Sequence, residues 1–274
     1  MFKTCLENVR TVAPLLDNIT NFVTVNDCAN IQLACGASPI MADHPGEVEE
    51  IVPACGGLCI NLGTLTDSAI QAMFLAGKKA NELGKPIVLD PVGVGASRLR
   101  TDTADRLLRE VRFTVIRGNI SEIKCLAAGA GSAHGVDAAA ADKVTDGNLD
   151  QTVAFAQDLS RRTGAAIAIS GAIDIVADPD RAYVIRNGVE TMARITGSGC
   201  MLTALLGAYL AANPDNALEA AAACVCAMGL CGELAYEKMV QNGAGNSSFR
   251  NYLIDAVFDL DGDTLERGAK YELR

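Results

Sequence analysis

The stretch ITGSGCM at 195–201 sets two glycines around Ser198 and puts Cys200 at the head of a long apolar run. Glycines at 197 and 199 allow close backbone approach, and the run after Gly199 is expected to be a helix whose first N–H groups lack intrahelical acceptors. Those amides, at the positive end of the helix dipole, make an anion site. Ser198 is the expected N-cap, a role compatible with anion binding. Two readings of Cys200 stand open: a thiol that takes a proton from a bound alcohol, or a small side chain that lets a substrate come close.

Other chemistry-bearing residues fall where apolar runs end: Gly63-Thr64, Asp90-Pro91, Arg117-Gly118-Asn119 with Glu122 a turn later, and Ser170-Gly171. In an open α/β sheet, ligands bind outside the carboxyl ends of the strands, where these residues would gather. Two carboxylates, an arginine, an amide and a hydroxyl suit a magnesium-bound polyphosphate, because hard oxygen ligands hold Mg²⁺ and a guanidinium matches phosphate oxygens. Taken singly, Asp90 could stabilise the turn before Pro91, Arg117 could pair with a surface carboxylate, and Glu122 could support a helix start over 121–128. Their company at successive strand ends favours the chemical reading.

Competing chemistries find little support. The P-loop pattern is missing, since Gly84-Lys85 runs into Pro86, and neither Gly-x-Gly has the third glycine of a dinucleotide fingerprint. The two histidines, His44 and His134, sit near Pro or Gly in expected surface loops, which argues against histidine metal sites and against a Cys-His or Ser-His catalyst. With Lys+Arg 23 against Asp+Glu 33 the net charge is −10, unsuited to nucleic acid or anionic lipid. The longest apolar run, CMLTALLGAYLAA, is expected to be too short to span a bilayer, and MFKTCLENVR lacks a signal-peptide core. Ten cysteines without a Cys-x-x-Cys pair read as small buried residues in a reducing compartment, the cytoplasm.

The elements that would position these groups alternate. GLCINLGT (57–64), PIVLDPVGVG (86–95), FTVIRGN (113–119) and AAIAISG (165–171) have little polar alternation, as strands buried on both faces do. Helical patterns at 67–83, 103–111 and 149–162 separate them, which predicts right-handed β-α-β crossovers. A turn at Asp178-Pro179-Asp180 predicts a hairpin and hence an antiparallel edge. Helices are expected over 200–212, 217–239 and 248–260, the middle one buried between layers or between subunits because it is apolar almost all round. GAGSAHGVDAAAAD (129–142) suggests a mobile connection, and with no linker or repeat elsewhere residues 1–274 read as one domain.

Six segments in order, NFVTVNDCAN (21–30), CGASPIMAD (35–43), INLGTL (60–65), VLDPVGVGASRLR (88–100), VIRGNISEI (115–123) and ITGSGCM (195–201), closely resemble the hydroxyethylthiazole kinase family of the ribokinase-like superfamily. The resemblance implies a ribokinase-like three-layer α/β sandwich, with a mostly parallel sheet flanked by helices. It implies phosphorylation of 4-methyl-5-(2-hydroxyethyl)thiazole by ATP with Mg²⁺ in thiamine salvage, by a homotrimer with active sites at subunit interfaces. By position it assigns Met41 and Gly197 to the thiazole, with Gly63 and Thr64 lining the alcohol pocket and Asn21 reaching in from a neighbouring subunit. It assigns Arg117 and Ser170 to the nucleotide, with Asn119, Ser198 and Gly199 beside them. Asp90 and Glu122 fall to the metal, and Cys200 stands where related kinases carry an aspartate base. Ser170 and Ser198 each replace a threonine of the family pattern and keep its hydroxyl.

Three other readings compete: a ribokinase-like kinase of hydroxymethylpyrimidine or pyridoxal, a Cys200-dependent acyl transferase or hydrolase, and a nucleotide-binding protein without turnover. GASPIMA disfavours the first by resemblance. The second lacks a histidine partner, and the third leaves Asp90, Arg117 and Glu122 together unexplained.

Overall fold

A computed structural model of the chain describes residues 1–129 and 143–274. Among the described residues are nine strands: β1 Leu15–Ile19, β2 Ser38–Ile40, β3 Gly57–Asn61, β4 Ile87–Asp90, β5 Val115–Asn119, β6 Ala166–Ser170, β7 Asp174–Ala177, β8 Ala182–Ile185 and β9 Tyr271–Leu273. They form one sheet in the order β2-β1-β3-β4-β5-β6-β7-β8-β9. The first six are parallel, and β7, β8 and β9 alternate in direction along the edge.

Helices cover both faces. On one lie α1 Phe2–Val12, α2 Val25–Cys35, α8 Ser198–Ala212, α9 Ala217–Gln241, α10 Asn246–Asp259 and α11 Gly262–Gly268. On the other lie α3 Val48–Ile51, α4 Asp67–Glu82, α5 Arg98–Glu110, α6 Ile120–Ala128 and α7 Leu149–Thr163. Successive strand residues serve opposite layers, as the period of two requires: Val88 joins the first core, Ile87 and Leu89 the second. Several strand side chains toward the first layer are small, with Cys59, Ala166 and Ala168 among them. At Gly207 a Cβ would meet the Cys59 sulfur at 2.5 Å, so glycine lets α8 lie directly on β3.

The expected three-layer architecture with its edge hairpin is what the chain adopts, Ile175 facing Val184 across β7 and β8. Asp178 Oδ1 accepts from the N–H groups of Asp180 and Arg181 and so closes the turn. All four strands expected from apolar runs are shorter than those runs, β3 and β4 most of all: β3 stops at Asn61, two residues ahead of Gly63, and β4 at Asp90, ahead of Pro91. Helix α5 starts five residues ahead of the expected 103, because Ser97 caps it by accepting from the Arg100 N–H. Residues 130–142 of the small-residue stretch, His134 among them, lie outside the described residues.

One expectation needs correction. By length and composition the 25-residue α9 could cross a membrane, so a run of spanning length does exist. Its residues from Leu218 to Cys231 are nearly all buried, against α1, α8, α10 and the edge strands of this same chain. Its apolar character therefore needs no neighbouring subunit. Eight of the ten cysteines are buried as expected, and all ten are free thiols.

Topology locates the crevice. From β1 the chain passes to β2 on one side, then crosses over to β3 on the other, so β1 and β3 flank a topological switch point where adjacent loops diverge.

Candidate active site

At the switch point, loops after β1 and β3 lock together through two asparagines. Asn21 Nδ2 donates to Asn61 Oδ1 at 3.0 Å, and that oxygen also accepts from the Gly63 N–H at 2.9 Å. Asn21 Oδ1 accepts from the N–H and the hydroxyl of Thr24, both at 3.1 Å, and the Phe22 N–H reaches Thr64 Oγ1 at 3.3 Å. Gly63 is required by contact, since a Cβ there would lie 2.7 Å from that of Asn21. Met41, half-buried, follows β2 on the same edge of the sheet. The next residue, Ala42, donates its N–H to Asp17 Oδ1 at 3.1 Å. Asp17 is fully buried, its other oxygen has no partner among the described residues, and burial pushes its pKa up to about 7.

The strands β4, β5 and β6 end in the charged half. Asp90 closes β4 with no exposure, its Oδ2 accepting from Asn61 Nδ2 and Thr203 Oγ1, both at 2.8 Å. Its Oδ1 lacks a hydrogen-bond partner among the described residues and lies 3.5 Å from Arg117 Nη1. Burial raises the Asp90 pKa to about 6 against the pull of Arg117, and Glu122 adds to the rise. Arg117 Nη2 donates to Ser170 Oγ at 2.6 Å. Glu122 accepts from the Gly93 N–H at 3.0 Å and from the Asn119 N–H at 2.9 Å. Asn119 returns the bond to the Glu122 N–H, a capping box that fixes the start of α6. The side-chain oxygen of Asn119 is thus engaged in holding Glu122.

Helix α8 starts over both halves. Its N-cap is Gly197, at φ 86°, rather than Ser198, which is the first helical residue. The left-handed conformation that glycine allows begins the helix one residue earlier than the hydroxyl suggested. The first intrahelical bond runs from the Met201 N–H to the Gly197 carbonyl, and among the described residues nothing accepts from the amides of Ser198, Gly199 and Cys200. At Gly199 a Cβ would lie 2.5 Å from Arg117 Nη1, so the guanidinium rests on the glycine itself. A cation at the positive end of a helix is unfavourable in isolation and suits a bound anion. Cys200 Sγ accepts from Asn21 Nδ2 and Asn61 Nδ2, each at 3.3 Å.

The structure therefore brings Asn21, Gly63, Thr64, Asp90, Arg117, Ser170, Glu122 and the 197–200 turn to one sheet edge, with Met41 on the loop after β2. Asn21 reaches Cys200 within its own chain, so no neighbouring subunit is needed to place it there. Sequence reasoning missed Asn61, which binds Asn21, Gly63, Asp90 and Cys200 at once. Its signal was a lone carboxamide at the end of an otherwise apolar strand. Thr203 was missed too, one turn beyond Cys200 on the same helix.

The hydroxyethylthiazole kinase family model matches residues 6–263. The chain belongs to the hydroxyethylthiazole kinase family. A hydroxyethylthiazole kinase of Clostridium acetobutylicum is 62% identical over 272 residues, 99% of each chain. The structure of a hydroxyethylthiazole kinase from Pyrococcus horikoshii superposes with a TM-score of 0.86 at 35% identity, covering 100% of this chain and 98% of that one. A ribokinase-like superfamily protein of Enterococcus faecalis shares the fold, with a TM-score of 0.58 at 11% identity over 92% of this chain and 89% of its own. Membership in the hydroxyethylthiazole kinase family makes the chain an alcohol phosphotransferase, which removes the acyl-transfer and binding-only readings.

Proposed function

We propose that the chain transfers the γ-phosphoryl group of ATP to the primary alcohol of 4-methyl-5-(2-hydroxyethyl)thiazole in thiamine salvage. The observation that carries this is the path Cys200–Asn61–Asp90 beneath the unpaired amides of α8, which joins an alcohol pocket to an anion site. The alcohol lies among Asn21, Met41, Gly63, Thr64 and Gly197. Arg117, Ser170, Ser198 and Gly199 hold the phosphates, and Asn119 holds Glu122 in place.

The donor set fits Mg²⁺. Asp90 keeps an oxygen without a hydrogen-bond donor, Glu122 is oriented by two amides, and a magnesium ion takes one or two carboxylates beside water and phosphate oxygens. When bound, it would neutralise phosphate charge. Cys200 as thiolate takes the alcohol's proton while the alcohol oxygen bonds to phosphorus, and the bond to the β-phosphate oxygen breaks with its electrons leaving on ADP. The transition state is loose, so the amides at 198–200 and Arg117 contribute most, by placing the phosphoryl group and stabilising its charge.

The working form in this reading is a homotrimer of single-domain subunits in the cytoplasm, with sites at the interfaces. Phe22 and Val23, 77% and 57% exposed beside Asn21, support an interface there, and ten free thiols suit a reducing compartment. The test is ADP release with Mg²⁺ and ATP against thiazole, hydroxymethylpyrimidine and pyridoxal alcohols. The thiazole should give the highest kcat/KM; a higher value for either rival would replace this reading with the other vitamin kinase.

A further inference from the structure

Arg100 is the third residue of α5, and the helix cap that fixes its backbone fixes where its side chain leaves. The side chain turns back over Gly93, where a Cβ would lie 2.1 Å from Nη1. Gly93 also has φ +71°, so glycine is needed there on both counts. Nη2 donates to the Gly63 carbonyl. The amide of Gly63 is held by Asn61 and that of Gly93 by Glu122. One guanidinium thus joins the loop after β3 to the loop after β4, each tied through its own N–H to a residue of the reacting centre.

Its charge has a neutral partner, although it stands beside the reacting centre. Arg98, Arg106 and Arg117 each face a carboxylate. Arg100 is half-buried, and among the described residues its acceptor is a neutral carbonyl. A half-buried guanidinium with no carboxylate partner among the described residues, and with donors to spare, matches a multiply charged oxyanion. We infer that Arg100 contacts the phosphoryl group as it arrives on the alcohol, between the Gly63 and Gly93 loops. Arg117 then serves the nucleotide side of the transfer and Arg100 the acceptor side. The assignment rests on the alcohol-kinase reading above.

Calorimetric titration of the intact protein with two probes, the thiazole alcohol and its phosphate ester, separates contact from mere loop support. In Arg100→Met, affinity for the ester should fall about tenfold or more while affinity for the alcohol stays within about threefold. Arg100→Lys keeps the charge and should recover part of the loss. Equal loss for both probes, or an unchanged ester affinity, overturns the contact. Wild-type protein that binds neither probe would overturn the alcohol-kinase reading itself, and the role of Arg100 with it.

Discussion

The Asn61 carboxamide nitrogen stands 3.3 Å from the Cys200 sulfur and 2.8 Å from Asp90 Oδ2. One planar group therefore sets the distance between the atom assigned to the alcohol's proton and the carboxylate assigned to the metal. Removing that spacer misaligns two halves that are otherwise intact. In Asn61→Ala, kcat should drop by about 10²-fold, with KM for ATP changed far less. Steady-state kinetics decide it, and a kcat near wild type would show that the spacing is held by other groups.

Cys200 itself separates proton transfer from positioning. Cys200→Ala should lower kcat by about 10²-fold, the low end of what a general base contributes, and leave thiazole binding nearly intact. Cys200→Asp should regain most of the loss, because a carboxylate can take the proton. An alanine variant as fast as wild type would leave the sulfur only a role in packing.

Gly199→Ala tests the seat of Arg117. The added methyl would stand 2.5 Å from Nη1, so the guanidinium must move away from the α8 amides. KM for ATP is expected to rise at least about tenfold while thiazole affinity holds. Arginine and helix would be independent if both constants stayed put.

Asp17 makes a prediction about stability. Its carboxyl has a pKa of about 7 in the folded chain and about 3.9 when unfolded, so the fold favours the protonated form. Stability from this group is fully present below about pH 4 and is lost as pH rises to about 7. Asp17→Asn cannot ionise. Its melting temperature should match wild type near pH 4 and exceed it by an increasing margin toward pH 8. A gap that is constant with pH would assign the difference to packing instead.

The sheet from β3 to β6 was legible because parallel strands buried on both faces read as apolar runs, and their chemistry sits at the glycine, proline or aspartate that ends each run. The first strand was not. Asp17 and Asn18 interrupt β1, and both are buried; Asn18 exchanges hydrogen bonds of 2.9 and 3.1 Å with Gln32, which also reaches the Ala204 carbonyl. Buried polar residues whose partners lie largely on other elements hide a core strand from any local pattern. The same holds for Asn61, whose four partners lie after β1, after β3, on β4 and on α8. Arg117 and Glu122 were readable because a charge interrupts the last residues of an apolar run or follows it within a turn, whereas Ser198 misled because glycine at 197 caps α8 by conformation and not by a side chain.

Burial of the other eight thiols leaves Cys125 and Cys200 as the half-exposed pair. With Cys125→Ser, a maleimide dye would meet one half-exposed cysteine among the described residues of the native chain, and its sulfur is the one assigned to the alcohol's proton. Attachment rate then becomes an optical gauge of pocket occupancy. Any alcohol, taken up or refused, could be ranked without a single turnover.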